Sequence, residues 1–373
     1  MGLTIIISKP HLRTWFTSLD QICGTVVFTN KRPVNVANIV VYVEGHLRTS
    51  TKSHNVHQEI PFSAYEHALF CRRSIVFQSN DNPTGKSCTL FAPGTHIYQF
   101  NLGMPLFTCC CTSQSINNRH IQSTLPPSFE LVSESLKISV SYRIRAVVDR
   151  PGLLRCNLTS TRAVEFRPLP PPDLGSLQRP RYLKVTKDLG DQILEQKEDN
   201  ATGERNPPPY DTAILFEVSI PESRIIRVGD RLDLGITVFV PHKLRKALAT
   251  IWLESLAIRL RSTTMITVEC ATRAHIGYLD LCKTQGLLPL EFSNACERFE
   301  VPSELWRNHV YPLILPSFAS CGIQRQYALE IAAGFFSPTT NKVYTVRTSV
   351  DVAVKSADFC AETPPEYTVE EGR

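Results

Sequence analysis

The sequence predicts an all-β protein of two β-sandwich domains joined by a proline-rich linker. Three observations predict it. The chain has 373 residues, too many for one ordinary sandwich and enough for two. Apolar residues alternate with polar ones at period two in runs spread over both halves. Between the halves, at 168–212, the alternation gives way to proline and charge.

In the first half, Ile138, Val140, Tyr142, Ile144 and Ala146 alternate with Lys137, Ser139, Ser141, Arg143 and Arg145. In the second half, Leu232, Leu234, Ile236, Val238 and Val240 alternate with Asp233, Gly235, Thr237 and Phe239. Tyr327, Leu329 and Ile331 alternate with Gln326, Ala328 and Glu330. Thr348, Val350, Val352 and Val354 alternate with Ser349, Asp351, Ala353 and Lys355. Each run puts one face on a core and the other in water, as an antiparallel sandwich requires. Asn30–Pro33, Asp81–Gly85, Pro93-Gly94 and Val228-Gly229-Asp230 supply turns between such runs. Helical periodicity is confined to a short amphipathic piece around Asp188 to Glu198.

The composition break fixes the boundaries. Pro168-Leu169-Pro170-Pro171-Pro172 opens it, and Asn206-Pro207-Pro208-Pro209-Tyr210 closes it. Strand-like sequence stops near Phe166 and resumes near Ile214. The expected domains are 1–167 and 213–358, with the linker at 168–212 and an acidic tail at 359–373.

Charged residues make up 20% of the chain and hydrophobic ones 42%, a balance that supports a packed core rather than global disorder. The net charge of +5 is too weak to argue for nucleic acid. No apolar run has the length of a spanning helix, and Ile5-Ile6-Ile7 is too short for a signal-peptide core. Gly2 invites a myristoylation reading, but Ile6 stands where that pattern wants Ser or Thr. The 12 cysteines include no Cys-x-x-Cys pair and read as reduced thiols of a cytosolic protein.

Several segments together resemble a known family. They are Cys23–Phe28, Val36–Gly45, His96–Leu102, and Leu125-Pro126-Pro127-Ser128-Phe129-Glu130 followed by Ile138–Val148. In this order they resemble the N-terminal domain of alpha-arrestins, the fungal arrestin-related trafficking adaptors in particular. Val228-Gly229-Asp230 before the 232–240 run resembles the C-terminal arrestin domain. So does Leu315-Pro316-Ser317-Phe318 before Ile323–Glu330. The resemblance covers roughly 1–358. It implies two immunoglobulin-like sandwiches of arrestin type, no catalytic residues, no cofactor or metal, and an adaptor role in trafficking.

The sharpest chemical signal is a repeated motif. Pro207-Pro208-Pro209-Tyr210 and Pro364-Pro365-Glu366-Tyr367 both fit Pro-Pro-x-Tyr. WW domains bind this pattern because the prolines pre-form a polyproline helix and little entropy is lost on docking. Pro364, Pro365 and Tyr367 lie in the polar tail. Pro207, Pro208 and Tyr210 lie next to a domain, where Tyr210 has the alternative of packing as a linker residue. The expected partners are a WW-domain HECT-type ubiquitin ligase and the cytoplasmic tails of membrane-protein cargo, met at the plasma membrane or endosomes. A rival reading is an arrestin-fold sorting or scaffold protein that recruits no ligase.

A candidate basic patch joins Lys243, Arg245 and Lys246 to Arg259 and Arg261, the last two on one strand face by period-two spacing. It is suited to anionic lipid or an acidic cargo motif, the alternative being an ordinary solvated face. Gly85-Lys86-Ser87 lacks the earlier glycine of a phosphate loop, since Asn80 stands there. Cys109-Cys110-Cys111 with His120 raises a thiol-enzyme or metal reading. Adjacent thiols do not converge easily on one zinc, and no second spaced Cys/His pair is near, so a loop is expected. His54, His57 and His67 read as a surface loop.

Overall fold

The computed structural model describes residues 1–8, 10, 13–55, 58–79, 88–109, 123–133, 136–151, 156–169, 182–188, 215–221, 223–240, 252–268, 271–289, 298–338 and 341–355. Strands dominate, and two compact units emerge. One comprises Met1–Leu169 with Ile266–Thr272 and Phe318–Gln324, the other Pro170–Met265, Arg273–Ser317 and Arg325–Arg373. No described helix is long and apolar enough to cross a membrane.

In the first unit, β1 (Gly2–Ile7), β2 (Gln21–Asn30) and β7 (Gly94–Gly103) form one sheet, in that order. The facing sheet runs β10 (Leu158–Val164), β9 (Leu136–Asp149), β4 (Asn38–Asn55), β5 (Gln58–Gln78), and β8 (Phe129–Val132) adds to β9. A short pair, β3 (Val34–Val36) with β6 (Thr89–Phe91), stands beside them. The core between the sheets holds Ile22, Val26, Phe28, Val41, Val43, Phe70, Ile138, Tyr142, Ile144 and Phe166. Each such aliphatic or aromatic side chain contributes about 1.5–3 kcal/mol when taken out of water.

In the second unit, β11 (Tyr182–Asp188), β12 (Leu215–Pro221), β14 (Gly235–Phe239) and β17 (Arg298–Glu300) form one sheet in that order. The other runs β13 (Ile225–Arg227), β20 (Lys342–Lys355), β19 (Ile323–Ser337), β15 (Trp252–Val268), β16 (Ala271–Pro289). Its core holds Phe216, Val218, Ile236, Val238, Ile258, Trp306, Leu329, Ile331 and Phe335.

The two units repeat one plan. The order β12-β14-β17 matches β1-β2-β7, and β20-β19-β15-β16 matches β10-β9-β4-β5. Each plan includes a parallel contact, Phe16 with Phe166 in one unit and β13 with β20 in the other. Among the described residues, β11 has no counterpart in the plan of the first unit. β11 lies inside the 168–212 stretch expected to be free of strands, and it pairs antiparallel with β12 from Tyr182↔Pro221 to Asp188↔Leu215. Leu183 and Val185 do alternate with Lys184 and Thr186, but prolines and charges flank so short a run and hide it.

The alternation reads the core correctly, with two exceptions. Thr237 and Ala328 were expected to face water and are buried. Thr237 is paired with Glu217 on one side and Glu300 on the other, whose long side chains flank it on the same face. Ala328 sits opposite Asp351 and has no side chain long enough to leave the sheet. His67 is a further correction. It lies in β5 opposite Leu47, 2% exposed and stacked on Tyr65, because the β4–β5 hairpin continues as strand through the expected loop.

Candidate functional site

A clasp at equivalent positions fixes one edge of each unit. Ser128 and Phe166 exchange two bonds: the Ser128 amide donates to the Phe166 carbonyl at 2.8 Å, and the Phe166 amide donates to Ser128 Oγ at 2.9 Å. Ser317 and Val354 do the same, at 2.8 and 2.9 Å. Each serine follows a proline and precedes a phenylalanine. In each unit a tyrosine hydroxyl reaches back to the carbonyl ahead of that proline. Tyr142 donates to Pro126 and Tyr327 to Leu315, each at 2.6 Å. Burial pushes both phenols up from their ordinary value, so they stay protonated and donate.

Next to the first clasp, the outer face of the larger sheet carries an unusual charge arrangement. Along β4, Val41, Val43 and Leu47 point to the core, so Tyr42, Glu44, His46 and Arg48 share the other face. Register then decides the neighbours. On β9, Arg143 stands opposite Glu44 and Arg145 opposite Tyr42; on β5, Cys71 stands opposite Glu44 and Arg73 opposite Tyr42. Gly45 lets this happen. A Cβ there would meet the rings of Phe70 and Tyr142 at 2.7 and 2.8 Å, and those rings pack 6.0 Å apart across it.

Glu44 is only 5% exposed, yet charged. Arg143 Nε donates to its Oε2 at 2.9 Å, and Arg145 Nε to its Oε1 at 3.1 Å. Burial raises the Glu44 carboxyl, but hydrogen bonds and attraction from the two guanidiniums outweigh it and hold the carboxyl at about 2. Arg145 also lies over the Tyr42 ring, 4.3 Å from its centroid. Beyond this group, His46 Nδ1 lies 2.9 Å from Glu66 and Arg48 lies 3.1 Å from the same carboxylate. Burial lowers the His46 pKa, aided by Arg143, so the ring stays neutral at neutral pH. The arrangement holds charge in fixed positions on a sheet face. Cys71 Sγ donates to the Glu44 carboxylate, 4.0 Å from Oε1.

The sequence-predicted sites fall as follows. Pro207, Pro208, Tyr210, Pro364, Pro365 and Tyr367 lie outside the described residues, as do Lys243, Arg245 and Lys246. Arg259 and Arg261 share the outer face of β15, flanking buried Leu260. Neither offers an uncompensated charge. Arg259 pairs with Asp280 at 2.6 Å and Arg261 with Glu330 at 3.3 Å. Cys109 is exposed, and Cys110, Cys111 and His120 lie outside the described residues. Among the described residues, no group of three or more His, Cys, Asp or Glu is placed to hold a metal ion.

Glu44, Arg143 and Arg145 carried no signal of their own in the sequence. The one available hint was an acid in the middle of the Val36–Gly45 strand, with two arginines on the polar face of the 137–146 run. Residues 3–167 match the family model described as Arrestin (or S-antigen), N-terminal domain. The first half of the chain therefore carries an arrestin-type domain. No curated protein matches the chain.

Proposed function

We propose that this chain, with an arrestin-type domain as its first half, is a non-enzymatic trafficking adaptor. It binds cytoplasmic regions of membrane proteins and recruits a WW-domain HECT ubiquitin ligase through its Pro-Pro-x-Tyr motifs. Cargo held beside the ligase is ubiquitinated and routed into endocytosis, because tethering raises the effective concentration of the two. The protein works in the cytoplasm, with recruitment to the plasma membrane or endosomes.

The observation that carries this reading is Pro364-Pro365-Glu366-Tyr367, with Pro207-Pro208-Pro209-Tyr210 as a second copy. An arrestin-type domain supplies the body of an adaptor, and the motif supplies a reason to recruit this class of partner. A fold alone does not dictate function. When both motifs engage tandem WW domains, avidity over one site rises by roughly 10²–10⁴ if the linkers span the distance.

The test is a pull-down of the full chain with isolated WW domains. Tyr367→Ala is expected to weaken capture more than Tyr210→Ala, and the double variant to abolish it. Capture that persists in the double variant would sink ligase recruitment through these motifs. The second reading, an arrestin-fold sorting or scaffold protein without a ligase, agrees with the family match equally well, since that match concerns residues 3–167 and neither motif.

A further inference from the structure

The sheet of β1, β2 and β7 contains no Asp, Glu, Lys or Arg at any position. The chain as a whole is 20% charged, so a whole sheet without charge stands out. Ile5, Ile22, Val26, Phe28 and Phe100 turn to the core, and the residues alternating with them form the outer face. Register arranges that face in rows. Thr4, Val27 and Ile97 stand side by side, and Ile6, Thr25 and Gln99 form the next row. Ile6 is 55% exposed and Ile97 64%. Single exposed apolar residues are ordinary on a surface. Here two of them lie diagonally across one face on which no charge competes. The large sheets differ. In the first unit the outer face carries Arg143 and Arg145 around Glu44, and in the second unit it carries Arg259 with Asp280 and Arg261 with Glu330.

We infer that the uncharged face of β1, β2 and β7 is where two copies of this chain meet, sheet on sheet. The inference goes beyond the adaptor reading and does not rest on it. An isologous contact sets one patch against itself, so a net charge there repels its own copy. A face without charge meets itself with no such repulsion, and no ion has to be stripped of water. The arginine-bearing faces fail one condition or the other. Shape selects the same occupant. Three strands side by side offer a broad face rather than a groove, and another sheet fits it at a spacing of about 10 Å. The Thr, Val and Ile side chains are short and stiff, so ordering them costs little entropy. Size sets the strength. At about 3.4 Å per residue and about 4.8 Å per strand, the flat area of the sheet is about 400 Å² per copy. Side-chain relief adds to this, so a pair buries about 1,000 Å², the low end for a specific interface. A weak, concentration-dependent dimer follows, and each dimer carries the Pro-Pro-x-Tyr motifs of two chains.

The test is sedimentation velocity of the full chain, with reductant present, from low to high micromolar concentration. The wild type is expected to shift from monomer towards dimer, with a dissociation constant on the order of tens of micromolar. Ile6→Glu and Ile97→Glu each set like charges against one another across the contact and are expected to raise that constant roughly tenfold or more. An equal mixture of Ile97→Glu and Ile97→Lys is expected to recover a dimer that neither variant forms alone, which a folding defect could not do. Val343→Glu, at an exposed position on β20 of the other unit, leaves the constant unchanged. Ile6 and Ile97 are exposed, so thermal unfolding of their variants stays close to wild type. A wild type that stays monomeric throughout overturns the inference. If that monomer is captured by phosphatidylcholine vesicles through Ile6 and Ile97, the face belongs to a lipid surface instead. A dimer that both glutamate variants leave intact overturns the inference as well.

Discussion

Tyr142 donates its hydroxyl to the carbonyl of Pro126 at 2.6 Å, and the bond is buried. The same bond joins Tyr327 to Leu315 in the second unit, where Arg325 Nε also donates to the Tyr327 hydroxyl at 2.8 Å. Each holds the segment before a Pro-Ser-Phe clasp against the long strand that follows it. An antiparallel sandwich whose connecting segments are tied this way keeps its strand order against slippage.

Tyr142→Phe keeps the ring and removes the donor. It leaves a buried carbonyl unpaired, so stability is expected to fall by about 1–3 kcal/mol. Tyr327→Phe is expected to cost less, because that hydroxyl is only partly buried. Urea unfolding of the two variants, compared with wild type, gives both values. Equal and negligible losses would show that the clasp does not hold the fold.

Acid stability depends on Glu44. Its carboxyl falls from an ordinary 4.5 to about 2 in the folded state. A depressed carboxyl stabilises the fold above the unfolded-state value, and that contribution is lost as pH falls from about 4.5 towards about 2. At about 1.4 kcal/mol per pH unit, the contribution is on the order of 3 kcal/mol. His46 acts in the same direction. Its folded-state pKa lies below the ordinary 6.5, so the unfolded state takes up that proton first as pH falls. Glu44→Gln is expected to lower stability at neutral pH and to flatten its dependence on pH across the acid range. Urea titrations at neutral and acid pH measure both.

Arg259 and Arg261 were expected to form part of a basic patch, and each is paired with an acid on its own sheet. Removing either charge leaves a solvent-accessible acid, which water can serve. Arg259→Ala and Arg261→Ala are each expected to change stability by less than about 1 kcal/mol. Retention on phosphatidylserine vesicles is expected to stay at the wild-type level. A loss of retention in either variant would assign these residues to a lipid-facing surface.

Much of the sandwich was legible because alternation is local. Tyr142, Ile144 and Ala146 declare their burial by position in one run, and Leu329 and Ile331 do the same. The Leu-Pro-Pro-Ser-Phe and Leu-Pro-Ser-Phe segments were visible as motifs. Their equivalence was not, because it lies in what they bond to: Phe166 is 38 residues beyond Ser128, and Val354 is 37 beyond Ser317. Nothing local announces the hairpin that buries His67, because its histidines and polar residues suggest a loop and cross-strand pairing overrides that composition.

The sequence by itself determined that this is a β protein with two domain-sized halves, and that it carries two Pro-Pro-x-Tyr motifs. A period of two and a motif of four residues are properties of neighbours along the chain. Only the tertiary structure decided that Glu44 is buried and held by two arginines. Arg143 lies 99 residues from Glu44 and Arg145 lies 101. A shift of one residue in the β4–β9 register would turn the arginines to the core and leave Glu44 without them. Register is set by the fit of both faces at once, with Val41, Val43 and Ile144 inside, and Gly45 making room for the rings of Phe70 and Tyr142.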